Sequence, residues 1–265
     1  MRMFTRSMFL TGILLAFPMP LWAGSVGVAP GVSENRLNAE VVYHHLFDRD
    51  LDAPAQETDE LTSSNQVYVH LGYALADWCQ PYAVLGWKDL EEELRNVDIA
   101  GVGRRDIELE YEGEFSGGFG LRGTISLDHG WFVGYDGRFL MGRNDLDRAV
   151  EGGEVASAVR GHSKLTEWQG AGYAGCTLPL DRNAGFPAAL TFYAGARYSD
   201  LRLESKGLEY DVSTGTTARV GRERADDKFG IFAGAGFQIH DSWRIFVEGH
   251  FLDETAVSTG VSVRF

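Results

Sequence analysis

A chain of 265 residues with 33 glycines, 16 phenylalanines and 10 tyrosines but 7 prolines suits one large β domain better than two ordinary ones. Its formal net charge of −14 argues against a nucleic-acid partner, whose phosphates it would repel, and against simple electrostatic attraction to anionic lipid.

Residues 1–23 have the form of a secretory signal. Arg2 and Arg6 make a basic head, Met8 to Phe17 an apolar core, and Pro18 and Pro20 precede the small residues Ala23, Gly24 and Ser25. Cleavage after Ala23 is expected, leaving residues 24–265 as a single domain. The apolar run is shorter than the ~20 residues of a helical span. No later segment is long and apolar enough either, so any membrane integration must use strands.

From Arg36 to Phe47 the chain alternates, with Leu37, Ala39, Val41 and Tyr43 set against Asn38, Glu40, Val42 and His44. This is the period of a first strand. Asp48 to Asn65 is acidic, contains Pro54 and reads as an exposed loop. Gln66 to Ala76 resumes with Val67, Val69, Leu71, Tyr73 and Leu75, and a tight turn at Asp77 and Trp78 leads into Cys79 to Lys88. Asp89 to Asp106 reads as a second polar loop, followed by the longest strand, Ile107 to Leu127. After a turn at Asp128 to Gly130, a strand runs from Trp131 to Gly142, and a third loop covers Arg143 to His162. Strands from Ser163 to Thr177 and from Ala188 to Glu204 follow, then a fourth loop from Ser205 to Ala225. Asp226 to Ile239, Trp243 to Leu252 and Ala256 to Phe265 complete about ten strands, with eight as the alternative. From the first strand onward, long polar connections alternate with short ones, apart from the last.

The final strand reads Ala-Val-Ser-Thr-Gly-Val-Ser-Val-Arg-Phe. Ser258, Gly260, Val263 and Phe265 resemble the C-terminal assembly signal of bacterial outer-membrane β-barrel proteins. The resemblance covers these ten residues in detail and the rest of the chain as a pattern. It implies an all-β, antiparallel up-and-down transmembrane barrel in a bacterial outer membrane, and it implies no activity. Its partners would be outer-membrane lipid, lipopolysaccharide and the barrel assembly machinery, with the barrel itself a monomer. In such barrels long loops face outward and short turns face the periplasm. Trp78, Trp131 and Trp243, in or beside three short turns, would then form an interfacial girdle. A secreted β-sandwich shows the same alternation, but here the polar face concentrates glycine, arginine and carboxylate in mid-strand, as a filled lumen requires.

That face carries Arg122, Asp136, Arg138, Arg197, Arg244, Glu248 and His250. A barrel of about ten strands is too narrow to hydrate them fully, so they are expected to pair into a plug. Arg138 is expected to be held by Asp136, two residues away on the same face, or by Glu248. The alternative is a small channel for ions or small solutes. A hydrolase is the remote reading, because His162 and Ser163 are adjacent in a strand and point to opposite faces. No catalytic group, metal site or cofactor is therefore expected. Asp48, Asp50 and Asp52 open like a calcium loop, but Ala53 stands where the turn needs glycine and Asp59 where glutamate is wanted. Cys79 and Cys176 fall on strands that are not neighbours and are expected to remain thiols.

Overall fold

Alternation at a period of two builds almost everything in the computed structural model, which describes residues 36–51, 58–76, 78–99, 103–151, 154–156, 159–180, 189–211, 217–218, 222–224, 228–240 and 242–265. The expected signal and its cleavage site lie outside these residues. The strands are β1 (Arg36–Leu51), β2 (Thr58–Ala74), β3 (Gln80–Ile99), β4 (Gly103–Ser126), β5 (Trp131–Glu151), β6 (Val159–Pro179), β7 (Ala189–Asp211), β8 (Phe229–His240), β9 (Trp243–Phe251) and β10 (Thr255–Arg264). Two-residue rungs at Glu154–Val155 and Thr217–Ala218, and a longer one at Arg222–Arg224, extend the sheet beside β5 and β7.

Each strand pairs antiparallel with the next, and β10 pairs with β1 through Val41↔Val261, so ten strands close into a ring. Closure removes the free edges along which sheets aggregate. Followed once around the ring, the register returns to β1 roughly 12 residues further along, which tilts the strands by about 40° and keeps the lumen narrow. Among the described residues the only helical piece is a turn at Asp128–Gly130. It closes tightly because His129 and Gly130 take left-handed backbone angles, φ 59° and 80°. No described helix is long and apolar enough to cross a membrane.

The ring is apolar outside and mostly polar inside over one belt of its height. On β1, Leu37, Val41, Tyr43 and Phe47 are exposed, while Asn38, Glu40, Val42 and His44 are buried. β9, nine residues long, gives the belt's height: Trp243, Ile245, Val247 and Phe251 face outward and Arg244, Phe246, Glu248 and His250 inward. That length matches a strand crossing a hydrocarbon core at this tilt. Exposed aromatics mark both margins, with Trp78, Trp131 and Trp243 at the short-turn end and Phe47, Phe115, Phe229 and Phe251 at the other.

Beyond the belt the pattern inverts, and here the structure corrects the expected loops. β3 continues to Ile99 and β4 begins at Gly103, so Asp89 to Asp106 is mostly strand. β1 and β2 likewise take up most of Asp48 to Asn65, β5 and β6 most of Arg143 to His162, and β7 runs on to Asp211. In these extensions Leu90, Leu94, Ile107 and Leu109 point inward, whereas Glu91, Glu108 and Glu112 face out. The physical reason is the change of solvent. Inside hydrocarbon the outer face must be apolar, but in water the ordinary rule returns and apolar side chains leave the surface. Exposed pairs decorate the outside, among them Arg95–Glu93 at 2.8 Å and Arg148–Glu110 at 2.8 Å.

Candidate functional site

The interior is the candidate site, because every inward position of the ring converges on it. Nearest the short-turn end, β1 contributes Glu40, β2 His70, β3 Tyr82, β4 Arg122 and β5 Asp136, all 5% exposed or less. His70 Nδ1 lies 3.0 Å from Glu40 Oε1, and Arg122 Nη1 lies 3.5 Å from Glu40 Oε2. The Arg122 guanidinium sits 5.0 Å from the Tyr82 ring centroid, a cation–π contact, and the Tyr82 hydroxyl donates to the Asp136 carboxylate at 2.9 Å. Arg244, buried on β9, lies over Gly236, where any Cβ would collide with its guanidinium.

An aromatic layer comes next, with Phe132, Tyr173, Tyr193 and Phe232 in one cluster and Tyr68, Tyr82 and Phe246 in another. Several inward glycines exist to admit these rings: a Cβ at Gly120 would run into Tyr82, and one at Gly234 into Tyr193.

Above the aromatics, near the outer end, lies a second charged cluster. Leu252 takes φ 82° and turns the chain from β9 into β10 so that Asp253 and Glu254 enter the lumen. Arg197 on β7 grips Asp253 with two bonds, Nε at 2.7 Å and Nη2 at 2.9 Å, and lies 2.6 Å from Glu254 Oε1. Arg49 on β1 bridges Glu167 at 3.4 Å and Glu254 at 3.3 Å, while donating to the Ser199 hydroxyl at 2.9 Å. His250 places Nε2 3.0 Å from Glu248, and His44 places Nε2 3.5 Å from Glu254. A final layer of buried Leu46, Leu61, Leu90, Leu94, Ile107, Leu109, Leu146, Leu201 and Leu203 covers this cluster.

The seven inward residues named from the sequence are placed on the inner face of the ring. Asp136 is held by Tyr82 and stands opposite Arg122 in the register. Glu248 faces His250. The residues missed were Arg49, Glu167, Asp253 and Glu254. Asp253 and Glu254 looked like turn residues, Arg49 sat in a presumed loop, and Glu167 sat in the expected strand Ser163 to Thr177, whose faces were not assigned. Cys79 and Cys176 are free thiols. Ser258 is buried against His44 and His250, Gly260 admits the Phe246 ring, and the exposed Phe265 donates its backbone N–H to Leu37 at 3.0 Å.

At the rim outside the belt, Asp48, Asp50 and Glu60 bring their carboxylates together. A hydrogen bond with Asp48, partial burial and the neighbouring negative charges push the Glu60 carboxyl up to about 7, against the opposing pull of Arg95. A raised acid favours the folded state while it stays protonated. Stability from this group is therefore fully present below the usual 4.5 and is lost as pH rises towards 7. Glu60→Gln is expected to flatten that part of the stability profile, as followed by urea unfolding at several pH values; an unchanged slope would place the dependence elsewhere.

A closed antiparallel ring, apolar outside between two aromatic margins and polar within, defines a transmembrane β-barrel of the outer-membrane type. No protein-family model and no curated protein matches the chain. Among solved structures it is similar to the outer membrane protein OprG from Pseudomonas aeruginosa, at 12% identity over 89% of this chain and 98% of that one, with a TM-score of 0.37. It is similar also to the transport unit of the autotransporter AIDA-I from Escherichia coli, at 8% identity, 97% of each chain and a TM-score of 0.45. A third is the translocator domain of the autotransporter NalP from Neisseria meningitidis, at 12% identity, 99% of this chain, 94% of that one and a TM-score of 0.43. Likenesses this loose assign no activity here.

Proposed function

We propose that the mature chain, residues 24–265, is a monomeric outer-membrane barrel with a closed lumen, which works by displaying a rigid acidic surface outside the cell and not by conducting or catalysing. The observation that supports this most is burial at every level of the interior. Arg122 and Glu248 are 1% exposed, Phe232 2% and Leu109 0%. Water would have to cross ion pairs, an aromatic layer and a leucine layer to pass through. The extended strands carry outward carboxylates such as Glu91, Glu108 and Glu112 well beyond the belt. Such acids fit divalent cations shared with lipopolysaccharide phosphates, a role that asks little of spacing. Planar-bilayer conductance tests the closed lumen.

The channel reading has one observation in its favour. Among the described residues, buried polar side-chain atoms that no protein group satisfies run from Asn38, Gln80 and Arg244 near the short-turn end to Arg49 and Glu92 near the outer end. Groups like these call for water or an ion. Water held at separate points along the lumen would satisfy them without a continuous pore.

The C-terminal residues support a further expectation about assembly. Phe265 is 71% exposed, so its side chain adds little to the finished fold. Deleting it should therefore reduce insertion severalfold while export and the stability of refolded barrel stay near wild type. Normal outer-membrane levels of the truncated chain would contradict a role in recognition by the assembly machinery.

A further inference from the structure

Inside the second charged cluster, three metal-ligating side chains from separate parts of the ring meet in one place. His44 comes from β1, His250 from β9, and Glu254 from the turn before β10, and their ligand atoms all lie within 4.8 Å of one another. His44 Nε2 is 3.5 Å from Glu254 Oε1, and His250 Nδ1 is 3.9 Å from the same oxygen. A tetrahedral zinc centre with bonds of about 2.0–2.1 Å sets its ligands roughly 3.3 Å apart, so the three side chains would have to draw together on binding, His44 and Glu254 least.

The remote nitrogens are supported as a metal site requires. His44 Nδ1 lies 2.7 Å from the Ser258 hydroxyl, while His250 Nε2 faces Glu248 at 3.0 Å and the same hydroxyl at 3.2 Å. Donation from His250 Nε2–H to Glu248 leaves Nδ1 as the acceptor facing inward. Donation from His44 Nδ1–H to Ser258 likewise turns the lone pair of Nε2 towards the Glu254 carboxylate. Two acceptors then face each other, which is the arrangement a cation resolves.

Arg197 is the cation now on that face, with Nη1 2.6 Å from His250 Nδ1 and Nη2 2.6 Å from Glu254. It has a second anchor in Asp253, which Nε reaches at 2.7 Å, so it has somewhere to remain if a dication enters. Glu254 also lines a small pocket with Asp48, Arg49, Asp50, Leu252, Asp253 and Thr255. The exposed acids of that pocket are not themselves the site.

We propose that His44, His250 and Glu254 bind a borderline transition-metal dication of the zinc class, in competition with Arg197. Two imidazoles and one carboxylate suit zinc or cobalt and disfavour magnesium or calcium, which prefer all-oxygen shells. A bound ion would pin the β9–β10 turn to β1 in place of the arginine contact.

The test uses untagged full-length barrel refolded in detergent and stripped with EDTA, then titrated with zinc chloride by calorimetry and with cobalt chloride by visible absorption. One equivalent of zinc per barrel and a cobalt band typical of low coordination are expected. His44→Gln should weaken zinc at least about tenfold and abolish the band. Ser258→Ala keeps the ligands but releases one remote nitrogen, and should weaken binding by about 10-fold or more, which covers the case in which His44→Gln does not fold. Asp48→Asn combined with Glu60→Gln should leave affinity unchanged. Zinc binding absent from folded wild type, or lost in the rim variant and retained in His44→Gln, would overturn the proposal. None of these results bears on whether the lumen conducts.

Discussion

Arg197→Met is expected to destabilise the barrel by about 3–5 kcal/mol, because it strands Asp253 in a dry interior and leaves Glu254 to Arg49. Asp253 and Glu254 are 2% and 7% exposed and both lean on this guanidinium. The measurement is the urea midpoint of refolded barrel, with the temperature at which its folded band disappears on a detergent gel as a second readout. Adding Asp253→Asn should recover part of the loss, since the desolvated charge is then gone and the amide still accepts a bond. A wild-type midpoint for Arg197→Met would mean that the β9–β10 turn is not held inside the ring.

Leu109→Ala should cost about 2–5 kcal/mol, the range for emptying a packed leucine site. Leu109 is fully buried in the leucine layer, whereas its neighbour Glu110 sits in an exposed pair with Arg148 at 2.8 Å. Glu110→Ala should therefore change stability by less than about 1 kcal/mol. The same urea midpoints test both. Equal effects would show that the strand extensions do not enclose an apolar interior, and the inversion of pattern beyond the belt would lose its meaning.

That inversion is also what the sequence hid. Within the belt, Leu37 to Tyr43 and Val67 to Leu75 announce strands, since hydrocarbon outside and polar groups inside leave a clean period of two. Past Lys88 the period continues, but Glu91 and Glu93 alternate with Leu90 and Leu94, and acids in such density resemble a loop. The alternation of Ile107, Leu109 and Tyr111 with Glu108, Glu110 and Glu112 was the legible sign that strands extend into water.

The interior was legible as a face and illegible as a set of contacts. Period two sends Asp136 and Arg138 to the same side, and it says nothing of what lies across the lumen. Partners there depend on the stagger of the whole ring, which sets Tyr82 under Asp136 and brings Glu167 towards Arg49. Nor does local sequence reveal that the turn at Leu252 folds Asp253 and Glu254 inward. That depends on a left-handed residue and on Arg197, some fifty positions earlier, waiting to receive them.

The closed lumen is tested most directly by conductance of purified barrel in a planar bilayer. Membranes that contain inserted protein should show no current steps above baseline at either polarity, and Leu109→Ala should not open one. Discrete steps from the wild-type barrel, with ion selectivity that shifts in Arg122→Ala, would contradict the account and establish a charged pore in its place.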